Sequence, residues 1–270
     1  MGNHARKGTY SIMKMREKVF AANWKMNKTV GETEAFFQQF VNNPGIGQGY
    51  GVIVFPPFTS LGSIRGLAGA LPIAWGGQNM YHKDSGAFTG EISPLMLKDL
   101  GCTYVLLGHS ERREIMRETD EDVRAKIHTA HRVGLKPMVC VGETLEERKG
   151  GKAHEKVLRQ LDSALDGVSA EQAVNQPFAY EPIWAIGTGL NASTTDAQEM
   201  CALVRQRIAT RFSDAVASVV PVLYGGSVKP ENIADYLGQP DIDGALIGGA
   251  SLKPDSFLSI INNALGIKSA

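Results

Sequence analysis

The chain lacks most of what would commit it to an oxidising compartment, a membrane or a nucleic acid. Only three cysteines occur in 270 residues, Cys102, Cys140 and Cys201, far apart and with no CxxC pair. That argues against a disulfide framework or a zinc site and fits a reducing compartment, the cytoplasm. Cys140 lies in the apolar run MVCV, where a small hydrophobic residue packs well, so its thiol reads as buried and inert. Charge of one sign is missing too. Lys plus Arg equals Asp plus Glu at 28 each, so no global field favours nucleic acid or an anionic membrane surface, and any anionic ligand must be held locally. No apolar stretch approaches the length of a membrane span.

The basic opening MGNHARKGTYSIMKMREK lacks the apolar core of about 7–15 residues that a secretory signal needs. Residues 1–18 therefore read as a flexible tail or an added leader, with Met13 and Met15 as candidate starts, and 19–270 as one catalytic domain. Hydrophobic residues make up 43% and charged residues 21%, the balance of a packed globular protein.

Eight short apolar runs recur: VFAAN from Val19, GVIVF from Gly51, IAWGG from Ile73, TYVLLG from Thr103, KPMVCVG from Lys136, PFAYEP from Pro177, VVPVLYG from Val219 and DGALIGG from Asp243. Most are continuously apolar and too short for a helix, as strands buried on both faces are. Polar segments with helical spacing separate them, at 29–41, 145–165 and 195–212, and in TDEDVRAKIHTAHRVG, where Thr119 with Asp122 signals a cap and Gly134 a stop. KPENIADYLG and KPDSFLSIINNALG each carry Pro near the expected first helical turn. No Pro/Ser-rich linker interrupts the alternation, so a closed (β/α)8 barrel, single domain, of about 250 residues is expected. An open dinucleotide-binding sheet is disfavoured because the first strand leads into NWKMNKT, without a GxGxxG turn.

Barrels place their working groups where strands end. Asn23 and Lys25 lie two apart after the first run, so period-2 alternation aims both at the barrel mouth and Trp24 at the helices. An exposed loop lysine is the bland alternative. His109 closes the fourth run just before a helix start, with Ser110 as a candidate N-cap; the positive helix end would keep the imidazole neutral and able to donate, with Glu111 balancing Lys25. A structural histidine is the alternative there. Glu181 ends the sixth run before Pro182, at a stiff corner. The apolar residues 183–186 that follow, bracketed by Pro182 and by Gly187 and Gly189, fit either a loop that closes over a ligand or one packed permanently on a neighbour. Glycine pairs end the seventh and eighth runs in YGGSVKPENI and LIGGASLKP, and paired N–H groups there suit a phosphate. Gly76-Gly77 closes the third run without that context.

Taken together, NWKMN, GAFTGEIS, GHSERR, CVGE, AYEPIWAIGTG, YGGSV and DGALIGGASL resemble the triosephosphate isomerase family, in that family's order and over residues 19–265. The resemblance implies a TIM barrel that interconverts dihydroxyacetone phosphate and D-glyceraldehyde 3-phosphate through a cis-enediolate, in glycolysis and gluconeogenesis, without metal or organic cofactor. It implies Glu181 as the base, neutral His109 as the electrophile, Lys25 and Asn23 as stabilisers of the oxyanion, and Glu111 as the partner of Lys25. Amides of Gly187, Ser227, Gly248 and Gly249 would hold the phosphate, and Ile186 with Leu246 would clamp the carboxylate. A homodimer is implied as well, the loop around GAFTGE entering the partner with Thr89 at the contact. One departure is Leu190-Asn191-Ala192 where the family commonly has Lys-Thr-Ala. A Schiff-base aldolase would need a desolvated lysine among the inward-facing strand residues, and an idle barrel would be expected to have lost Lys25, His109 or Glu181.

Overall fold

A computed structural model describes residues 16–40, 42–43, 46–68, 71–186 and 191–267. Eight parallel strands close into one barrel in sequence order. They are β1 Val19–Asn23, β2 Gly51–Phe55, β3 Ala74–Gly77, β4 Tyr104–Leu107, β5 Lys136–Val141, β6 Phe178–Tyr180, β7 Val222–Tyr224 and β8 Gly244–Ile247. Closure is made by β1 on β8, with Val19 opposite Gly244 and Ala22 opposite Ile247.

Strand alternation splits the core in two. Ala21, Ile53, Phe55, Leu106, Met138, Cys140, Ala179, Leu223 and Leu246 form an inner cluster, while their neighbours Phe20, Ala22, Val54, Val105, Val139, Tyr180 and Tyr224 join the cluster shared with the surrounding helices. Both faces are dry, which is why the strands read as unbroken apolar runs. Trp24 points outward as expected, fully buried and edge-on to Phe36 at 4.8 Å.

The helix Asp120–Val133 carries the expected capping box from Thr119 and Asp122, and Gly134 ends it at φ 76°. Thr194–Arg211 is capped in the same way by Ser193 and Asp196, and Pro254 occupies the first turn of Pro254–Leu265. Three expectations are corrected. The helix read over 145–165 is two, Leu145–Lys149 and Ala153–Leu165, because Gly151 takes φ 70° between them. Pro230 opens no helix: a turn in which Ile233 N–H donates to Lys229 O at 3.2 Å precedes Ile233–Leu237. Ser110 is the first helical residue and His109 is the cap of Ser110–Glu114.

Arg16 and Lys18 are bonded to the barrel, Arg16 Nε to Asp243 Oδ1 at 2.6 Å and Lys18 Nζ to Ile242 O at 3.0 Å. Among the described residues no helix is long and apolar enough to cross a membrane.

Candidate active site

Glu181 is the first residue past β6 and is 2% exposed. Its amide donates to Val141 O at 2.8 Å, and its backbone lies against Gly142, where a Cβ would come within 1.8 Å of Glu181 O. Neighbouring backbone and Pro182 thus fix where the carboxylate starts. The carboxylate reaches across to the end of β4: Oε2 accepts from Ser110 N–H at 2.9 Å, and Oε1 accepts from Ser110 Oγ at 3.2 Å and lies 3.0 Å from His109 Nε2.

His109 caps its own short helix, with Nδ1 accepting from Glu111 N–H at 3.3 Å. An Nδ1 that accepts carries no proton, so the proton sits on Nε2 and is donated to Glu181. Burial pushes the His109 pKa down, but the charge and hydrogen bond of Glu181 outweigh burial and hold it above the ordinary value. Burial likewise pushes Glu181 up, yet His109, the Ser110 amide and Lys25 together hold it below the usual carboxylate range. The Glu111 amide at Nδ1 favours a neutral imidazole once the carboxylate turns elsewhere.

Lys25 adopts φ 52°, a left-handed conformation that is costly for a residue with a side chain. Three contacts hold it there. Its N–H donates to Asn23 Oδ1 at 3.1 Å, its Nζ to Glu111 Oε1 at 2.6 Å, and Gln78 Nε2 donates to Lys25 O at 2.8 Å and to Phe55 O at 2.9 Å. The lysine is therefore an ammonium paired with a carboxylate, a poor starting point for a Schiff base.

Asn23, Lys25, His109 and Glu181 line one cavity of about 360 Å³ together with Ile186, Leu246 and residues 225–228 and 248–250. Nothing lies within 4 Å of a Cβ built on Gly249, so its backbone faces open space that a ligand oxygen could enter. Gly187 lies outside the described residues, as do Gly189 and Leu190. Thr89 is exposed on a different loop and does not line the cavity.

An 18–264 match to the family model described as Triosephosphate isomerase accompanies this geometry. The chain belongs to the triosephosphate isomerase family. Three relatives carry that name: one from Symbiobacterium thermophilum, 50% identical over 91% of this chain and 96% of its own length; one from Dictyoglomus thermophilum, 47% identical over 92% and 100%; and one from Roseiflexus sp., 49% identical over 92% and 98%.

For this family member, sequence reasoning missed three groups that act around the site. Ser110 had been given only a capping role. Gln78 is the first residue past β3, so inspecting the residue after every strand would have found it. Glu143 is fully buried, and its Oε1 accepts from Tyr180 OH at 3.0 Å, Trp184 Nε1 at 2.9 Å and Arg148 at 3.3 Å. Arg148 also pairs with Asp196 and stacks over Trp184, tying the residues after Glu181 to the start of Thr194–Arg211. No local signal in CVGE announces that role.

Proposed function

We propose that the chain interconverts dihydroxyacetone phosphate and D-glyceraldehyde 3-phosphate by moving one proton between C1 and C2 through a cis-enediolate. The observation that carries this reading is the buried Glu181 carboxylate lying 3.0 Å from His109 Nε2 in a cavity that also holds Lys25. Glu181 turns from His109 to the substrate carbon and takes the proton. His109 Nε2–H, Lys25 and Asn23 stabilise the charge that develops on the two substrate oxygens. Amides of Gly187, Ser227, Gly248 and Gly249 hold the phosphate, and Ile186 with Leu246 keeps water from the carboxylate, sheltering an enediolate that would otherwise eliminate phosphate. The chemistry uses neither metal nor organic cofactor, and we place it in the cytoplasm, in glycolysis and gluconeogenesis.

A coupled assay following glyceraldehyde 3-phosphate consumption tests the activity, and an inactive folded protein would sink it. Borohydride with substrate should trap no adduct; a covalent adduct would instead favour the aldolase reading.

The working form is inferred to be a homodimer. Met26 and Met116 are 96% and 63% exposed and with Lys25, His109 and Glu111 line a second cavity of about 240 Å³; Ile115, next to Met116 in the chain, is 67% exposed. Large apolar side chains left exposed beside working groups suit burial by a second copy. The exposed loop carrying Thr89 is the segment proposed to enter that cavity on the partner.

A further inference from the structure

We propose that Tyr236 is a positioning residue for the phosphate end of this site. It stands on Ile233–Leu237, is 3% exposed, and makes two contacts of different kinds. Its ring stacks on Tyr224 with centroids 4.2 Å apart and planes 19° off parallel. Its hydroxyl donates to Ala192 O at 2.6 Å in a buried bond.

One of those partners leads directly into the cavity wall, and the other precedes a capped helix. Tyr224 is the last residue of β7, and Gly225, Gly226 and Ser227 follow it directly into the cavity wall. Ala192, 1% exposed, immediately precedes Ser193, the cap of Thr194–Arg211. One phenol thereby ties the strand end that leads to the Ser227 amide to the backbone before Thr194–Arg211. An amide donor holds an oxyanion well only when its backbone is pre-set, because ordering it on binding subtracts from affinity. A phenyl ring would keep the stack but leave the buried Ala192 carbonyl without this donor. Tyr236 reaches no substrate atom; its effect runs through Tyr224 and Ala192.

The inference rests on the isomerase reading, and Tyr236→Phe tests it separately. Binding of inorganic phosphate is measured by titration calorimetry, alongside kcat/KM for D-glyceraldehyde 3-phosphate and for D-glyceraldehyde, which lacks the phosphate. The expected result is phosphate binding weakened roughly tenfold and a similar fall in kcat/KM for the phosphorylated substrate, with glyceraldehyde unchanged. Unaltered phosphate affinity, or an equal loss on both substrates, would overturn it; so would a lower melting temperature with phosphate affinity intact, which makes Tyr236 merely structural. Should the unsubstituted protein lack isomerase activity, the activity reading falls while the calorimetric comparison still judges Tyr236.

Discussion

Glu181 and His109 show how a few ångströms decide a residue's chemistry. The Glu181 carboxylate is buried among its donors, so replacing it by aspartate, which draws the carboxylate back by about 1 Å, should lower kcat on the order of 10²-fold and leave inorganic phosphate binding nearly unchanged. An unaltered kcat would remove Glu181 from the role of base. Acid sensitivity has a definite sign. Because His109, Ser110 and Lys25 hold Glu181 below its ordinary pKa of 4.5, the carboxylate stays ionised on acidification until the pH falls through that depressed value. With glyceraldehyde as substrate, which has no phosphate to titrate, any loss of kcat/KM above pH 4.5 should therefore come from protonation of His109, held above its ordinary value, and not from Glu181; persistence of that loss in His109→Gln would contradict the assignment. Glycine needs the same residue-by-residue reading. Gly76 is required because a Cβ there would sit 2.3 Å from Tyr104 O, a packing demand, whereas Gly249 faces open space. Identical dipeptides at strand ends thus have different causes, and spacing alone does not separate them.

Elements were legible where local forces act alone. The Thr119 and Ser193 capping boxes and the Gly134 stop involve residues within four positions of each other, so the sequence displays them whole. Thr119→Ala removes the hydroxyl that accepts from Asp122 N–H at 3.1 Å and should cost about 1 kcal/mol in a denaturant melt. No loss would mean that tertiary packing alone holds that helix start. Asp122 is held below its usual pKa by the Thr119 amide, so its share of that stability is present above the unfolded value and fades as pH falls through the depressed one. Helix boundaries after the long loops were less legible. The break before Ala153–Leu165 follows from Gly151 at φ 70° and the late start at Ile233 from the turn closed on Lys229 O; a glycine pair or a proline marks a turn without setting where the next helix begins.

Across the whole molecule, burial of the cysteines and completion of the site are the properties to test. Cys102, Cys140 and Cys201 are each 1% exposed or less, and burial pushes the Cys102 thiol up to about 12. All three should resist a thiol reagent at neutral pH until the protein unfolds; fast labelling of the native protein would contradict the packing. Thr89→Arg, on the loop proposed to enter the partner, should shift sedimentation from dimer to monomer and lower kcat/KM, since the cavity beside Lys25 would lose its cover. A fully active monomer would refute the dimer requirement.

The sequence alone determined the eight-fold alternation, the face to which Asn23, Lys25 and Trp24 point, and the candidate residues at the strand ends, because strand period, caps and strand-end position are local properties of the chain. Only the tertiary structure decided that His109 rather than Ser110 caps its helix, that Ser110 and His109 both bind Glu181, that Gln78 secures the left-handed Lys25, and that Tyr236 joins Ala192 to Tyr224. Each of these contacts except the cap spans more than ten residues of chain. Their partners meet only when the barrel closes and its strand ends converge, and no pattern within a single segment encodes such a meeting.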